Sequence, residues 1–231
     1  MGKDYAAQDQ GNFTIATTHT QARYALPRVI GEFTKRYPKV RLSIQQGNPA
    51  QIADMILHDQ ADIGIATEGI SGDKGLVSLP GYQWSHTVIT PPDHPLLEKK
   101  HIALEDLASY PLITYDPNFA GRPKIDKAFA LRQLQPDIIL EAIDADVIKT
   151  YVEIGLGIGI VAGVAFDAER DRNLRGIPVG HLFGTNVTHL AVKQGAYLRS
   201  FVYTFIELFS PTLNRKLVEQ AMSGDHEAYE L

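Results

Sequence analysis

The sequence predicts an α/β fold in two lobes, and three observations carry that expectation. Strand-like and helix-like runs alternate from residue 13 onward, which argues for a parallel sheet covered by helices. The alternation starts afresh after residue 76 with different details, which implies a second lobe. The chain has 231 residues, 44% of them apolar and 21% charged, enough for a packed core and against wholesale disorder.

Phe13 and Ile15 alternate with polar neighbours and stop at Thr17-Thr18-His19-Thr20. Tyr24, Leu26, Ile30 and Phe33 then recur at helical spacing. That helix ends at Tyr37-Pro38, because proline cannot continue it. A second alternation, Leu42-Ser43-Ile44, runs to Gly47-Asn48-Pro49, where Asn48 suits an N-cap and Pro49 a first helical residue. Ile52, Met55 and Ile56 form the buried face of a short helix, and residues 62–67 a short buried strand.

In the second set, residues 76–80 and 88–91 read as extended and residues 101–107 as amphipathic. Residues 110–115 read as a buried strand and 116–123 as a loop rich in turn residues. A helix over 124–134, a strand over 137–142, a helix over 145–154 and a glycine-interrupted strand over 157–162 follow. Residues 188–194 alternate again and lead into a helix over 200–209, which Pro211 interrupts. Residues 214–222 are amphipathic, and residues 223–231 form a polar, acidic tail.

Several function classes are disfavoured. The net charge of −5 gives no bulk attraction for nucleic acid. With no cysteine there are neither disulfides nor thiolate metal sites, which fits a reducing cytoplasm. No run approaches the roughly 18 apolar residues that span a membrane. Residues 1–10 lack the apolar stretch of a secretion signal and read as a linker or expression remnant.

Gly157-Ile158-Gly159-Ile160-Val161-Ala162 fits the dinucleotide pattern in letters only. It follows a helical run and is itself strand-like, where the fingerprint needs strand, turn, then helix. Gly69-Ile70-Ser71-Gly72-Asp73 misses the last position of a nucleophile elbow. There is no phosphate loop and no paired-histidine zinc motif. The expectation is no enzyme, no cofactor and no metal.

One stretch does suggest chemistry. Thr17, Thr18, Thr20 and Gln21 crowd a strand-to-helix turn, and ligands of such sheets gather where strands end and helices begin. Hydroxyls and an amide donate hydrogen bonds without charge, and a helix start adds free N–H groups and a positive dipole end. That set suits a carboxylate or a sulfate. The competing reading is that these threonines merely cap the helix.

The run Thr14-Ile15-Ala16-Thr17-Thr18-His19-Thr20-Gln21 resembles the start of the effector-binding domain of LysR-type transcription regulators, in their CysB and Cbl branch. Gln46-Gly47-Asn48-Pro49, Asp62-Ile63-Gly64-Ile65-Ala66-Thr67-Glu68 and Asp93-His94-Pro95-Leu96 are similar to later parts of that family. So are Asp144-Ala145-Asp146-Val147-Ile148-Lys149-Thr150 and Gly155-Leu156-Gly157-Ile158-Gly159. The resemblance covers residues 11–209. It implies two Rossmann-like lobes joined by two crossover strands, a type 2 periplasmic-binding-protein architecture. Lobe I would be 11–84 plus 190–231 and lobe II 85–189, with crossings near 82–91 and 184–190.

The resemblance also implies contacts. Thr18, Thr20 and Gln21 match the principal anion contacts, with Thr17 beside them, Thr67 after the third strand, and Trp84 as an aromatic near the cleft. Where related sequences carry a ligand-facing threonine before Gly121-Arg122, this chain has Ala120. Tyr115, Asn118 and Arg122 are second-lobe candidates, and Arg122 reads equally as a partner of a surface carboxylate. Asp144 reads as an N-cap, while Asp146 or Asp144 could hold an ammonium group. His19 lies between two site threonines.

The implied function is effector binding for control of sulfur assimilation and cysteine biosynthesis in the cytoplasm. The ligand would be a small anion, N-acetylserine, O-acetylserine, sulfate or thiosulfate, held between the lobes. The alternative is an extracytoplasmic solute-binding protein for a small anion, with an α/β transferase as a further rival. Self-association as a dimer, and as a tetramer in the full-length protein, is implied, with residues 21–36 and 200–209 as candidate surfaces. DNA would be reached only through an N-terminal winged helix-turn-helix that this sequence does not contain.

Overall fold

A computed structural model describes residues 9–67, 70, 72–119 and 121–224. The chain divides into two compact units, Met1–Tyr82 with Val187–Leu231, and Gln83–Asn186. In chain order the elements are β1 (Gln10–Thr17), α1 (Leu26–Arg36), β2 (Lys39–Gln46), α2 (Pro49–Leu57), β3 (Ile63–Thr67) and β4 (Leu76–Thr90). Next come α3 (Leu104–Ala108), β5 (Leu112–Tyr115), α4 (Arg122–Leu131), β6 (Ile138–Ala142), α5 (Ala145–Glu153) and β7 (Ile158–Ala162). The last are β8 (Arg175–Pro178), α6 (Gly180–Phe183), β9 (Thr185–Lys193), α7 (Ser200–Phe209) and α8 (Arg215–Met222). β4 and β9 are the two strands along which the chain passes from one unit to the other.

In the first unit the strand order is β2-β1-β3-β9. β1 pairs in parallel with β2 and β3, while β9 runs antiparallel to β3. Phe13 and Ile15 of β1 point into a core closed by α1 and α7, where Phe13 lies 5.6 Å from Phe33 and 5.1 Å from Phe205 between ring centroids. On the other face, α2 packs Ile52 and Ile56 against Ala16 and Ala66. β2 departs from the alternation read in its sequence. Val40 is its buried residue and Ile44 is 40% exposed, because β2 is the outer strand of this order and the helices do not cover it fully.

Asn48 and Pro49 behave as their chemistry predicts. Asn48 Oδ1 accepts from the Gln51 amide at 2.9 Å, and Gln51 Oε1 accepts from the Asn48 amide at 2.9 Å, a complete capping box ahead of Pro49. Asn48→Ala will lower stability by about 1 kcal/mol, read from the urea midpoint, because the helix start loses its side-chain acceptor.

In the second unit the order is β4-β7-β5-β6, with β8 on β4. β5 is parallel to β6 and β7, and β4 antiparallel to β7 and β8. α4 and α5 supply Ile125, Phe129, Ile148 and Val152 to the buried interior. Gly159 sits in β7 where a Cβ would come within 2.6 Å of Ile89 and 2.9 Å of Val152. This glycine serves close helix-on-sheet packing, which agrees with setting the dinucleotide pattern aside.

Candidate anion site at the first helix start

The parallel register aligns the carboxyl ends of the first-unit strands, with Thr17 of β1 opposite Gln46 of β2 and Ile65 of β3. The chain leaves β1 at Thr17, turns at Thr18 and enters helix at His19. A π-turn over Gln21–Ala25 leads into α1. The first intrahelical bond runs from the Ala22 amide to the Thr18 carbonyl at 3.1 Å, so the amides just ahead of Ala22 are those a helix start leaves without internal partners.

The four residues singled out here divide into two kinds. Thr17 is fully buried and its hydroxyl donates to the Ile65 carbonyl at 3.0 Å, tying β1 to β3. The Gln21 side chain is also engaged: its Nε2 donates to the Thr188 hydroxyl at 3.3 Å, and its Oε1 accepts from the Tyr82 hydroxyl at 2.7 Å. Thr67 joins the same group, 3.3 Å from Thr188 between hydroxyl oxygens. Burial pushes the Tyr82 phenol above its ordinary pKa, while the hydrogen bonds with Thr188 and Gln21 oppose that rise.

The Thr17 hydroxyl proton and the Gln21 carboxamide hold the protein together, leaving Gln21 its main-chain amide as the donor to offer. Thr18 and Thr20 are different. Thr18 is 6% exposed and Thr20 is half-buried, and among the described residues neither hydroxyl has a hydrogen-bond partner. Capping therefore does not account for them, since Thr20 precedes the π-turn without a side-chain cap bond. His19, between them, is half-buried, and its Nδ1 has no partner among the described residues. Thr188 and Tyr82 were not singled out by the sequence. Their only signal was position on the crossover strands, which motif reading does not weigh.

In the second unit, Trp84 is buried and stacks edge-on against His86 at 5.1 Å. Gly121 has φ of +89°, and a Cβ there would meet His86 Nε2 at 2.6 Å and the Trp84 ring at 2.9 Å, so both the conformation and the space demand glycine. Ala120 lies outside the described residues. Arg122, 6% exposed, is bound by Asp126 and Glu141 at 2.7 Å each and by the Tyr115 carbonyl at 2.6 Å. Of its two readings, the carboxylate partner is the one the geometry fills. The Tyr115 hydroxyl accepts from the Ala162 amide at 3.1 Å, and Asn118 turns back to Asp116. Asp144 accepts from the Val147 amide at 2.9 Å and so caps α5, with Asp146 in the first turn behind it.

His86 was also missed. It is 1% exposed, neither ring nitrogen has a partner among the described residues, and burial with the nearby Lys124 charge lowers its pKa to about 4.

Two α/β units traversed by two shared strands, with a parallel-strand edge opening on a helix start, define the type 2 periplasmic-binding-protein fold. The family described as the LysR substrate binding domain matches residues 6–213, and the chain belongs to the LysR family of transcription regulators. It is 71% identical to the HTH-type transcriptional regulator CysB of Burkholderia cenocepacia over its whole length, covering 74% of that protein. It is 45% identical to the regulator Cbl of Escherichia coli, covering 94% of this chain and 69% of that one. The solved cofactor-binding domain of the Cbl regulator superposes with a TM-score of 0.88 at 45% identity, over 92% of this chain and 93% of that one. The chain is thus an effector-binding domain of the CysB and Cbl type, and its relatives are transcription regulators rather than enzymes. Among the described residues no helix is long and apolar enough to cross a membrane.

Proposed function

We propose that this domain senses a small anionic metabolite of sulfur assimilation, with N-acetylserine, O-acetylserine, sulfate and thiosulfate as the candidate ligands. The observation that carries the reading is the pair of hydroxyls, Thr18 and Thr20, left without partners among the described residues beside Thr17 and Gln21, whose side chains are already bonded. Neither oxygen is fully enclosed, so both hydroxyls are open to donate, and an oxyanion at this place supplies the acceptor. The adjoining amides and the helix dipole favour the same negative charge.

Thr67 and, in the second unit, Trp84, Gly121 and Asp146 remain proposed contributors through the family resemblance. Ligand binding would act as a switch only by favouring one arrangement of the regulator over another. In the intact protein that switch would operate in the cytoplasm, in dimers or tetramers, on DNA held by a separate winged helix-turn-helix. Calorimetry with the four compounds tests the ligand class. Saturable heat with at least one of them at millimolar concentration is expected, and silence from all four overturns it.

A further inference from the structure

The second unit carries a groove away from the residues discussed above, of about 400 Å³, between α4 and α6. Lys124, Lys127 and Leu131 stand three and four residues apart on one face of α4, and Arg132 follows. Leu182 and Phe183 of α6 form the apolar wall. Among the described residues no carboxylate lines this groove. In a chain of net charge −5, three cations gathered round an apolar floor mark a local reversal of sign. Leu131 is 74% exposed, a large apolar side chain left uncovered. Lys127 has no ion-pair partner among the described residues, and Arg132 has only a loose one, Glu105 at 3.8 Å.

We propose that this groove is a second ligand site, for a small organic carboxylate with an apolar body. Its volume falls in the range of about 300–1,000 Å³ usual for small-molecule pockets. The charge selects an anion, with Arg132 and Lys127 as donors to the carboxylate. Leu131, Leu182 and Phe183 select a chain or ring that a bare inorganic anion lacks. Phe183 connects this wall to the interior: it meets His86 edge-on at 5.5 Å, and His86 meets Trp84 edge-on at 5.1 Å. Occupancy of the groove therefore registers at Trp84, the single tryptophan of the chain.

Octanoate is the probe, titrated into the 231-residue protein and followed by tryptophan fluorescence and by NMR shifts of the α4 amides. Saturable changes in both are expected, with sulfate and octylamine leaving the α4 amides unmoved. Lys127→Glu with Arg132→Glu, both on exposed side chains, should weaken octanoate at least about tenfold, the effect of losing its charge-assisted bonds. Thr18→Val should leave it unchanged. The proposal is overturned if octanoate fails to saturate by about 10 mM, a range that covers even weak small-ligand affinities. It is equally overturned if octylamine moves the same amides, or if Thr18→Val rather than the charge reversal weakens binding.

Discussion

Thr18→Val combined with Thr20→Val will lower the affinity for N-acetylserine and for sulfate by about 100-fold or more while leaving the fold intact. A hydrogen bond to a charged group contributes about 1.5–3 kcal/mol, so two removed donors amount to about 3–6 kcal/mol, and each 1.4 kcal/mol is about tenfold. The fold should tolerate the change because neither hydroxyl has a partner to abandon among the described residues, and valine keeps the β-branched shape. Thr17→Val gives the opposite pattern. Its hydroxyl donates to the Ile65 carbonyl in a fully buried place, so its loss costs about 1–3 kcal/mol of stability. Ligand affinity should then change far less than in the double variant. Calorimetry and urea unfolding on the three proteins separate the roles. Unchanged affinity in the double variant places the anion elsewhere.

The contrast between Thr17 and Thr18 also marks what sequence reading reaches. The crowding of Thr17, Thr18, Thr20 and Gln21 at a strand end was legible, because residue type and the strand-to-helix switch both show in the letters. Which hydroxyls face inward was not, since that depends on Ile65 and Thr188, which lie 48 and 167 residues away from Thr17 and Gln21. The long periodic elements were readable for the same local reason, and α7 runs over the residues its spacing marked.

Local misreadings have local causes. Pro80-Gly81 looked like the end of an extended run, yet β4 continues through them to Thr90, since the fixed φ of proline is compatible with extended backbone. Pro123 looked like part of a loop, yet α4 begins at Arg122, because proline is tolerated in a first helical turn. β8 and α6 have four residues each, too few for any period to declare itself. The groove between α4 and α6 was invisible for that reason, with a third of its lining on an element the pattern could not show.

Acid will destabilise this protein partly through His86, and His86→Phe will remove that part. The side chain is held neutral in the fold, chiefly by burial and secondarily by the Lys124 charge, with a pKa of about 4 against the ordinary 6.5. The unfolded chain therefore binds a proton that the folded chain refuses across this window. The stabilisation is complete above about pH 6.5 and is lost as pH falls towards 4. By about pH 4.5 the loss from this one group is about 2 kcal/mol relative to about pH 7. Urea midpoints of wild type and His86→Phe at both pH values isolate it, since the other titrating groups are common to both proteins. The variant starts less stable at neutral pH if its larger ring crowds Gly121, where a single added carbon would already lie 2.6 Å from the imidazole. The diagnostic quantity is the slope with pH, which should be shallower in the variant. An equal slope means the folded chain takes up the His86 proton as readily as the unfolded one, and the buried aromatic contact joining Phe183, His86 and Trp84 would then have to give the imidazolium a partner.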